Sequence, residues 1–281
     1  MQRRTAISLL LGCAPSLNSK PRLTLNRFLP ANDGCALLLD VASQEIIASN
    51  SSALYDKILV PPGSTLKPLS LAALLSTGRL RATESYLCPG NLTIPGRRMD
   101  CSHPPIVTPM RIDTALAYSC NCFTAHAAQR FVPGELSRSL RTANLVPGDI
   151  TTAQTKEAQQ LQALGEADIL VTPLGLAHAY RQLALRLTST NAATGMDRIL
   201  AGLEEAVEFG TGHEAQIKGA RLAGKTGSTR NGQDFIAWFA GFLPSHAPKA
   251  VVTVMLTGKH GGSDAAPIAK EILDSWLAGN L

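Results

Sequence analysis

The sequence predicts an α+β fold, with an antiparallel sheet formed by N- and C-terminal strands, flanked by helices, and a helical lobe inserted in the middle. Three observations point there. Runs with strand character lie at positions 35–41 and 45–48, and again at 221–226, 235–243 and 250–257. Between the two groups the apolar residues recur with helical spacing, and Pro and Gly mark helix starts and stops. A last apolar-periodic segment, 265–277, reads as a closing helix. Strands at both ends around a helical middle are the signature of segregated α+β layers rather than alternating βαβ units.

Taken in order, residues 35–41 and 45–48 are close enough to pair as a hairpin. Pro61-Pro62-Gly63 breaks the chain ahead of a helix over 64–75, whose end Gly78 marks. Residues 81–107 are rich in Pro, Gly and Asn and read as a long loop. Thr108-Pro109 supplies an N-cap with Pro at the first helical position, which predicts a helix to about Tyr118. A second helix is predicted over 122–131. Thr172-Pro173 repeats the start signal before 174–187, and 196–209 is a further helix ended by Gly210.

The 281 residues are 45% hydrophobic and 17% charged, enough apolar material for one sizeable domain, placed at 33–281. The net charge is +5, yet no Lys/Arg run is interleaved with aromatics, and only 5% of residues are aromatic. Nucleic acid is therefore not expected as a partner. Residues 1–13 read as an export signal, with Arg3-Arg4 followed by a short apolar run. Leu10-Leu11-Gly12-Cys13 also looks like a lipobox, which makes Cys13 a candidate for lipidation and membrane attachment. The run is far shorter than the ~20 residues of a membrane span, and an ordinary buried N-terminal helix is the alternative. Residues 14–32 read as a polar, Pro-containing connector.

Six cysteines occur: Cys13, Cys35, Cys88, Cys101, Cys120 and Cys122. In an exported chain, Cys88 and Cys101 lie in a Pro/Gly-rich stretch that a disulfide would staple. Cys120-Asn121-Cys122 with His126 resembles half a metal site, but no second ligand pair at zinc spacing is found elsewhere. The expectation is small buried thiols and no metal or other cofactor. His126, His178 and His213 sit in or beside helices and read as structural.

Three triplet-like motifs follow one another: Ser64-Thr65-Leu66-Lys67, Ser119-Cys120-Asn121 and Lys225-Thr226-Gly227. By chance each of the first two should occur about once in such a chain, and the third in roughly one chain in twenty. Their placement is what carries information: the first opens a helix after Pro-Pro-Gly, the second sits at a helix break, the third on a strand. A serine hydroxyl is a weak nucleophile, and a lysine one helical turn onward faces the same side, where a neutral amine can take its proton. Lys67 must be kept neutral by burial and neighbouring positive charge, which Lys225 could supply. The backbone N–H groups of Ser64 and Ser228 are the two candidates for an oxyanion hole.

Ser-x-x-Lys, Ser-x-Asn and Lys-Thr-Gly together are the motif set of β-lactamases and penicillin-binding proteins. The sequence resembles the transpeptidase domain of the large penicillin-binding proteins from about Asp33 to its end. Pro62-Gly63-Ser64-Thr65-Leu66-Lys67-Pro68, Ala115-Leu116-Ala117-Tyr118-Ser119-Cys120-Asn121 and Val171-Thr172-Pro173-Leu174-Gly175-Leu176-Ala177 carry the likeness. So do Ala223-Gly224-Lys225-Thr226-Gly227-Ser228, Ala237-Trp238-Phe239-Ala240-Gly241-Phe242 and Ala265-Ala266-Pro267-Ile268-Ala269. The resemblance implies Ser64 as the acylated nucleophile, Lys67 as its base and Ser119 as a proton shuttle. It implies Asn121, Lys225, Thr226, Gly227 and Ser228 as the substrate-binding set, with Lys225 and Thr226 on the substrate's terminal carboxylate. Peptidoglycan stem peptides are the implied substrate, β-lactams the implied covalent inhibitors, and an exported, periplasmic or extracytoplasmic setting with a wall-synthesis protein as partner is expected.

Two departures stand out. The family's large members carry an additional N-terminal module, and no segment here is long enough for one, so a stand-alone catalytic domain is expected. Leu164-Gly165-Glu166-Ala167 differs from the glycine-rich turn anticipated at that place. Two other readings remain open: a serine β-lactamase, for which Glu166 is the nominated carboxylate, and a non-catalytic β-lactam-binding or scaffold module.

Overall fold

The computed structural model describes residues 23–50, 55–146 and 148–281; the candidate export signal, Cys13 and residues 14–22 lie outside them. Among the described residues the chain runs β1 (Leu23–Thr24), β2 (Gly34–Asp40), β3 (Ile46–Ser49), a 3₁₀ turn (Gly63–Leu66), α1 (Lys67–Ser76), β4 (Thr93–Ile94) and β5 (Arg97–Arg98). It continues through α2 (Ile112–Ala117), α3 (Asn121–Ala128), α4 (Glu135–Thr142), β6 (Gly148–Ile150), α5 (Lys156–Ala163), β7 (Ile169–Val171) and α6 (Pro173–Leu187). It ends with α7 (Met196–Glu208), β8 (Ala223–Asn231), β9 (Asp234–Leu243), β10 (Ala250–Thr257) and α8 (Ala266–Leu277).

Six of these strands form one sheet in the order β1-β3-β2-β10-β9-β8. Strand β2 lies antiparallel beside β10, with Leu37 opposite Thr253, so the two ends of the chain meet in the sheet as predicted. Strand β8 is the terminal strand, paired on one side with β9. The side chains of β2 alternate between two cores. Cys35, Leu37 and Leu39 face the helical middle, whereas Ala36 and Leu38 pack toward α8 with Ile272 and Leu273. Because both faces are covered, β2 and β10 read as nearly unbroken apolar runs instead of alternating ones. Each fully buried Leu or Val there contributes about 1.5–3 kcal/mol.

Several boundaries differ from the sequence reading. The described end of the expected connector is part of the fold: β1 pairs parallel to β3, and Leu25 and Leu29 are buried in the second core. The helix predicted from Pro109 begins only at Ile112. Met110 exchanges two backbone hydrogen bonds of 2.9 Å with Tyr86, which keeps residues 108–110 extended against the signal of the Thr-Pro pair. The loop over 81–107 contains the β4–β5 hairpin, pinned by Ile94 against Ala125 and Leu164. Helices α4 and α5 were not anticipated. The start of α6 is as predicted, with Thr172 Oγ1 accepting from Gly175 N–H at 3.0 Å and Pro173 at the first position.

Candidate active site

The Ser64 turn is held from three sides. Trp238 Nε1 on β9 donates to Pro61 O at 3.0 Å, Thr65 Oγ1 donates to Pro62 O at 2.7 Å, and Tyr180 OH on α6 donates to Thr65 O at 2.8 Å. Gly63 adopts φ +53 and donates its N–H to Gly165 O at 3.0 Å. Gly165, at φ +76, lies flat against Gly63: a Cβ there would sit 2.2 Å from Gly63 O. The unexpected Leu-Gly-Glu-Ala segment therefore contributes a bare backbone face that supports the turn. Gly165→Ala combines a left-handed penalty of about 1–2 kcal/mol with overpacking of about 1–3 kcal/mol. It is expected to lower the thermal midpoint by roughly 5–15 °C, read by calorimetry; an unchanged midpoint would show that the contact relaxes freely.

Within this turn Ser64 is partly open while Thr65, Leu66 and Lys67 are buried. The Lys67 N–H closes the turn by donating to Ser64 O, which sets the two residues one turn apart on the same side. Lys67 Nζ is 2.6 Å from Ser119 O, 3.2 Å from Ser119 Oγ and 2.6 Å from Asn121 Oδ1. Full burial pushes its ammonium down to about 8.

Ser119 is delivered by the way α2 ends. Its N–H bonds Leu116 O at 3.1 Å and the Cys120 N–H bonds Ala115 O at 2.8 Å, the two bonds of a Schellman end. The left-handed position of that motif normally takes Gly, but here Ser119 sits at φ +55, a strain of about 1–2 kcal/mol. The strained corner turns both its hydroxyl and its carbonyl toward Lys67. Asn121 opens α3, and its Nδ2 donates to Met99 O and Asp100 O at 3.0 and 3.2 Å, which aims Oδ1 at the amine.

Strand β8 supplies the facing wall. Lys225 is fully buried beneath it, with Nζ 3.1 Å from Thr226 O. Burial first, then the Lys67 charge, holds it well below its ordinary range. Lys67 Nζ meets three oxygens, whereas Lys225 Nζ meets one neighbouring carbonyl. Burial, one of the two causes expected from the sequence, is the main cause of the Lys67 shift, and a charge on Lys225 is not among the others. Thr226 Oγ1 donates to Thr211 Oγ1 at 2.8 Å, and Ser228 Oγ accepts from Gly261 N–H at 3.0 Å. Gly227 faces the Ser64 turn: a Cβ would meet Pro62 O at 2.8 Å.

A cleft of about 510 Å³ gathers Ser64, Ser119, Asn121, Thr226 and Ser228 along its walls. Lys67 and Lys225 are fully buried and do not line it. Sequence reasoning missed Thr211 and His103, which also line it, because both sit on loops without a pattern. An adjoining cleft shares Ser64, Asn121 and Ser228 and adds Glu166, Arg97 and Arg230. Glu166 Oε2 accepts from Thr229 Oγ1 at 3.4 Å, and burial raises its carboxyl while Arg97 and Lys67 oppose the shift. His126 stacks on the Tyr86 ring, 4.4 Å between centroids, away from these groups.

Residues 34–274 match the family model described as the penicillin binding protein transpeptidase domain, and the chain belongs to that family. It is 24% identical over 279 residues to a Mycobacterium tuberculosis (strain ATCC 25618 / H37Rv) protein named peptidoglycan D,D-transpeptidase PbpA, a match that covers 78% of this chain and 55% of that protein. The chain thus spans about half the length of that relative. A Neisseria flavescens protein named probable peptidoglycan D,D-transpeptidase PenA is 23% identical, covering 88% of this chain and 76% of the relative. The fold is shared with Pseudomonas aeruginosa PBP2, solved in complex with WCK 5153, at a TM-score of 0.77 and 19% identity over 90% of this chain and 73% of that one.

Proposed function

We propose that the chain is a penicillin-binding serine acyltransferase that acts on D-Ala-D-Ala-terminated stem peptides of peptidoglycan. The observation that carries this is the fully buried Lys67 amine, one turn on from Ser64 and bracketed by Ser119 and Asn121. In this reading an extended peptide lies along the free edge of β8, as added strands do on sheet edges. Its terminal carboxylate meets Thr226 and Lys225 and favours the charged form of Lys225, and that positive charge helps keep Lys67 neutral. Lys67 takes the Ser64 proton, and Ser64 Oγ attacks the penultimate D-Ala carbonyl carbon. The N–H groups of Ser64 and Ser228 receive the oxyanion. Ser119 relays the proton to the departing D-Ala amine, which leaves as the C–N bond breaks. The acyl group then passes to an amine in a transpeptidase or to water in a carboxypeptidase.

A serine β-lactamase is the second reading, favoured by one observation: Glu166 lines a cleft together with Ser64. Benzylpenicillin distinguishes the two. Intact-protein mass spectrometry is expected to show a stoichiometric adduct that persists for hours. An adduct that disappears as drug is consumed supports the β-lactamase, and no adduct leaves only a scaffold role. Peptidoglycan is made outside the cytoplasmic membrane, so this function requires export, for which residues 1–13 are the candidate signal. The same spectrum of protein recovered from the envelope reads whether the mature chain begins at a lipidated Cys13. Among the described residues no helix is long and apolar enough to cross a membrane.

A further inference from the structure

Directly behind the Ser119–Asn121 corner, the loop over 88–103 meets the start of α3. The ligand atoms of Cys88, Cys101, His103 and Cys120 all lie within 4.8 Å of one another there. Cys88 Sγ is 3.6 Å from Cys101 Sγ and 3.5 Å from Cys120 Sγ, and Cys101 Sγ is 3.7 Å from Cys120 Sγ. His103 Nε2 is 3.6 Å from Cys88 Sγ. A tetrahedral ion with metal–sulfur bonds of about 2.3 Å has sulfur–sulfur edges of about 3.8 Å. The three sulfurs therefore already form one face of such a tetrahedron, with the imidazole at hand for the fourth corner. A disulfide requires about 2.0 Å and selects one pair, whereas here each sulfur is nearly equidistant from the other two.

The surroundings are those of ligands and not of idle thiols. Backbone N–H groups of Gly90 and Phe123 donate to Cys88 Sγ and Cys120 Sγ, both at 3.3 Å, which favours thiolates. Cys120 is also the N-cap of α3, at the positive end of the helix dipole. His103 Nδ1 is 2.8 Å from Pro104 O. Donation of its proton there leaves the Nε2 lone pair free for a metal, the usual outer-shell arrangement for a ligating histidine. Cys122 Sγ lies 3.5 Å from Cys101 and 3.4 Å from Asn91 O, a position from which it hydrogen-bonds to the cluster.

We propose that Cys88, Cys101, His103 and Cys120 hold one Zn²⁺ ion in a closed, structural tetrahedral site. Three soft thiolates and an imidazole select zinc among the common divalent ions in this geometry. This replaces the sequence expectation of buried thiols without metal. Cys120 does belong to a ligand set, but its partners come from a distant loop, and His126 is not among them. The ion ties that loop to the residue between Ser119 and Asn121, the two groups that hold Lys67. Its presence does not depend on whether Ser64 is acylated.

The test uses the full chain, purified without chelator. Elemental mass spectrometry is expected to find one zinc per chain. Exchange with Co²⁺ is expected to give the visible bands of a tetrahedral site and a near-ultraviolet thiolate charge-transfer band. His103→Asn is expected to weaken zinc retention against a chromophoric chelator by more than the roughly 10–100-fold that outer-shell changes cost, and Cys122→Ser to retain stoichiometric metal. Should cysteine variants fail to fold, the unmutated chain still decides, because stripping zinc with a chelator is expected to lower its thermal midpoint and adding zinc to restore it. The proposal is overturned if the chain carries no zinc and takes up none, if peptide mapping finds any of the three cysteines in a disulfide, or if His103→Asn binds zinc like the parent.

Discussion

Ser64→Ala is expected to abolish benzylpenicillin labelling while unfolding within about 0.5 kcal/mol of the parent, the range of substitutions that disturb no packing. The asymmetry follows from where the side chain sits. The Ser64 hydroxyl opens into the cleft, whereas the turn that presents it is fixed by Pro61, Pro62 and Thr65 through Trp238 and Tyr180. Removing the oxygen takes away the nucleophile and leaves those contacts in place. Intact-mass labelling beside a thermal melt reads both halves. Labelling that persists would reject Ser64 as the acylated residue, and a collapse of the melt would mean that the hydroxyl carries structure.

Lys67 is expected to behave in the opposite way. Lys67→Ala should slow acylation by about 10²–10⁴, the usual contribution of a general base. It should also destabilise the fold by about 2–5 kcal/mol, because it leaves a cavity and strands the acceptors on Ser119 and Asn121. Lys67→Met keeps most of the volume, so a rate deficit shared by both variants belongs to the amine. In the unmutated protein the acylation rate should climb as pH rises through about 8, where Lys67 loses its proton. The observed midpoint belongs jointly to Lys67 and Lys225. Stability moves the same way. Between about 8 and the ordinary 10.5 the unfolded chain binds more protons than the folded one, so unfolding becomes harder as pH increases. A flat rate profile, or a parent-like rate in Lys67→Met, would remove Lys67 from the base role.

The outer frame of the fold was legible because its signals are local. The strands 250–257 and 235–243 are long apolar runs, and Thr172-Pro173 caps its helix as such pairs do. What escaped was set by distant partners. Met110 is drawn into an extended bridge by Tyr86, and Ile94 turns a Pro/Gly-rich loop into a hairpin because a small third core awaits it. The cleft divides along the same line. Ser64, Lys67, Ser119, Asn121, Thr226 and Ser228 come together because their spacing encodes a turn of helix, a helix end and a strand. Thr211 and His103 are brought in only by the fold, and although Glu166, Cys88, Cys101 and Cys120 stood out in the sequence, no interval announces the neighbours the fold gives them.

The pairing of β2 with β10 has a consequence for how the chain acquires its shape. Leu37 finds its neighbour Thr253 only after the whole helical middle has emerged. Contacts so remote in sequence make closure slow, and the early segment must wait with its apolar strand unpaired, prone to association. Under the export proposed above, that delay is useful: the central strand cannot lock until the last one has crossed to the far side.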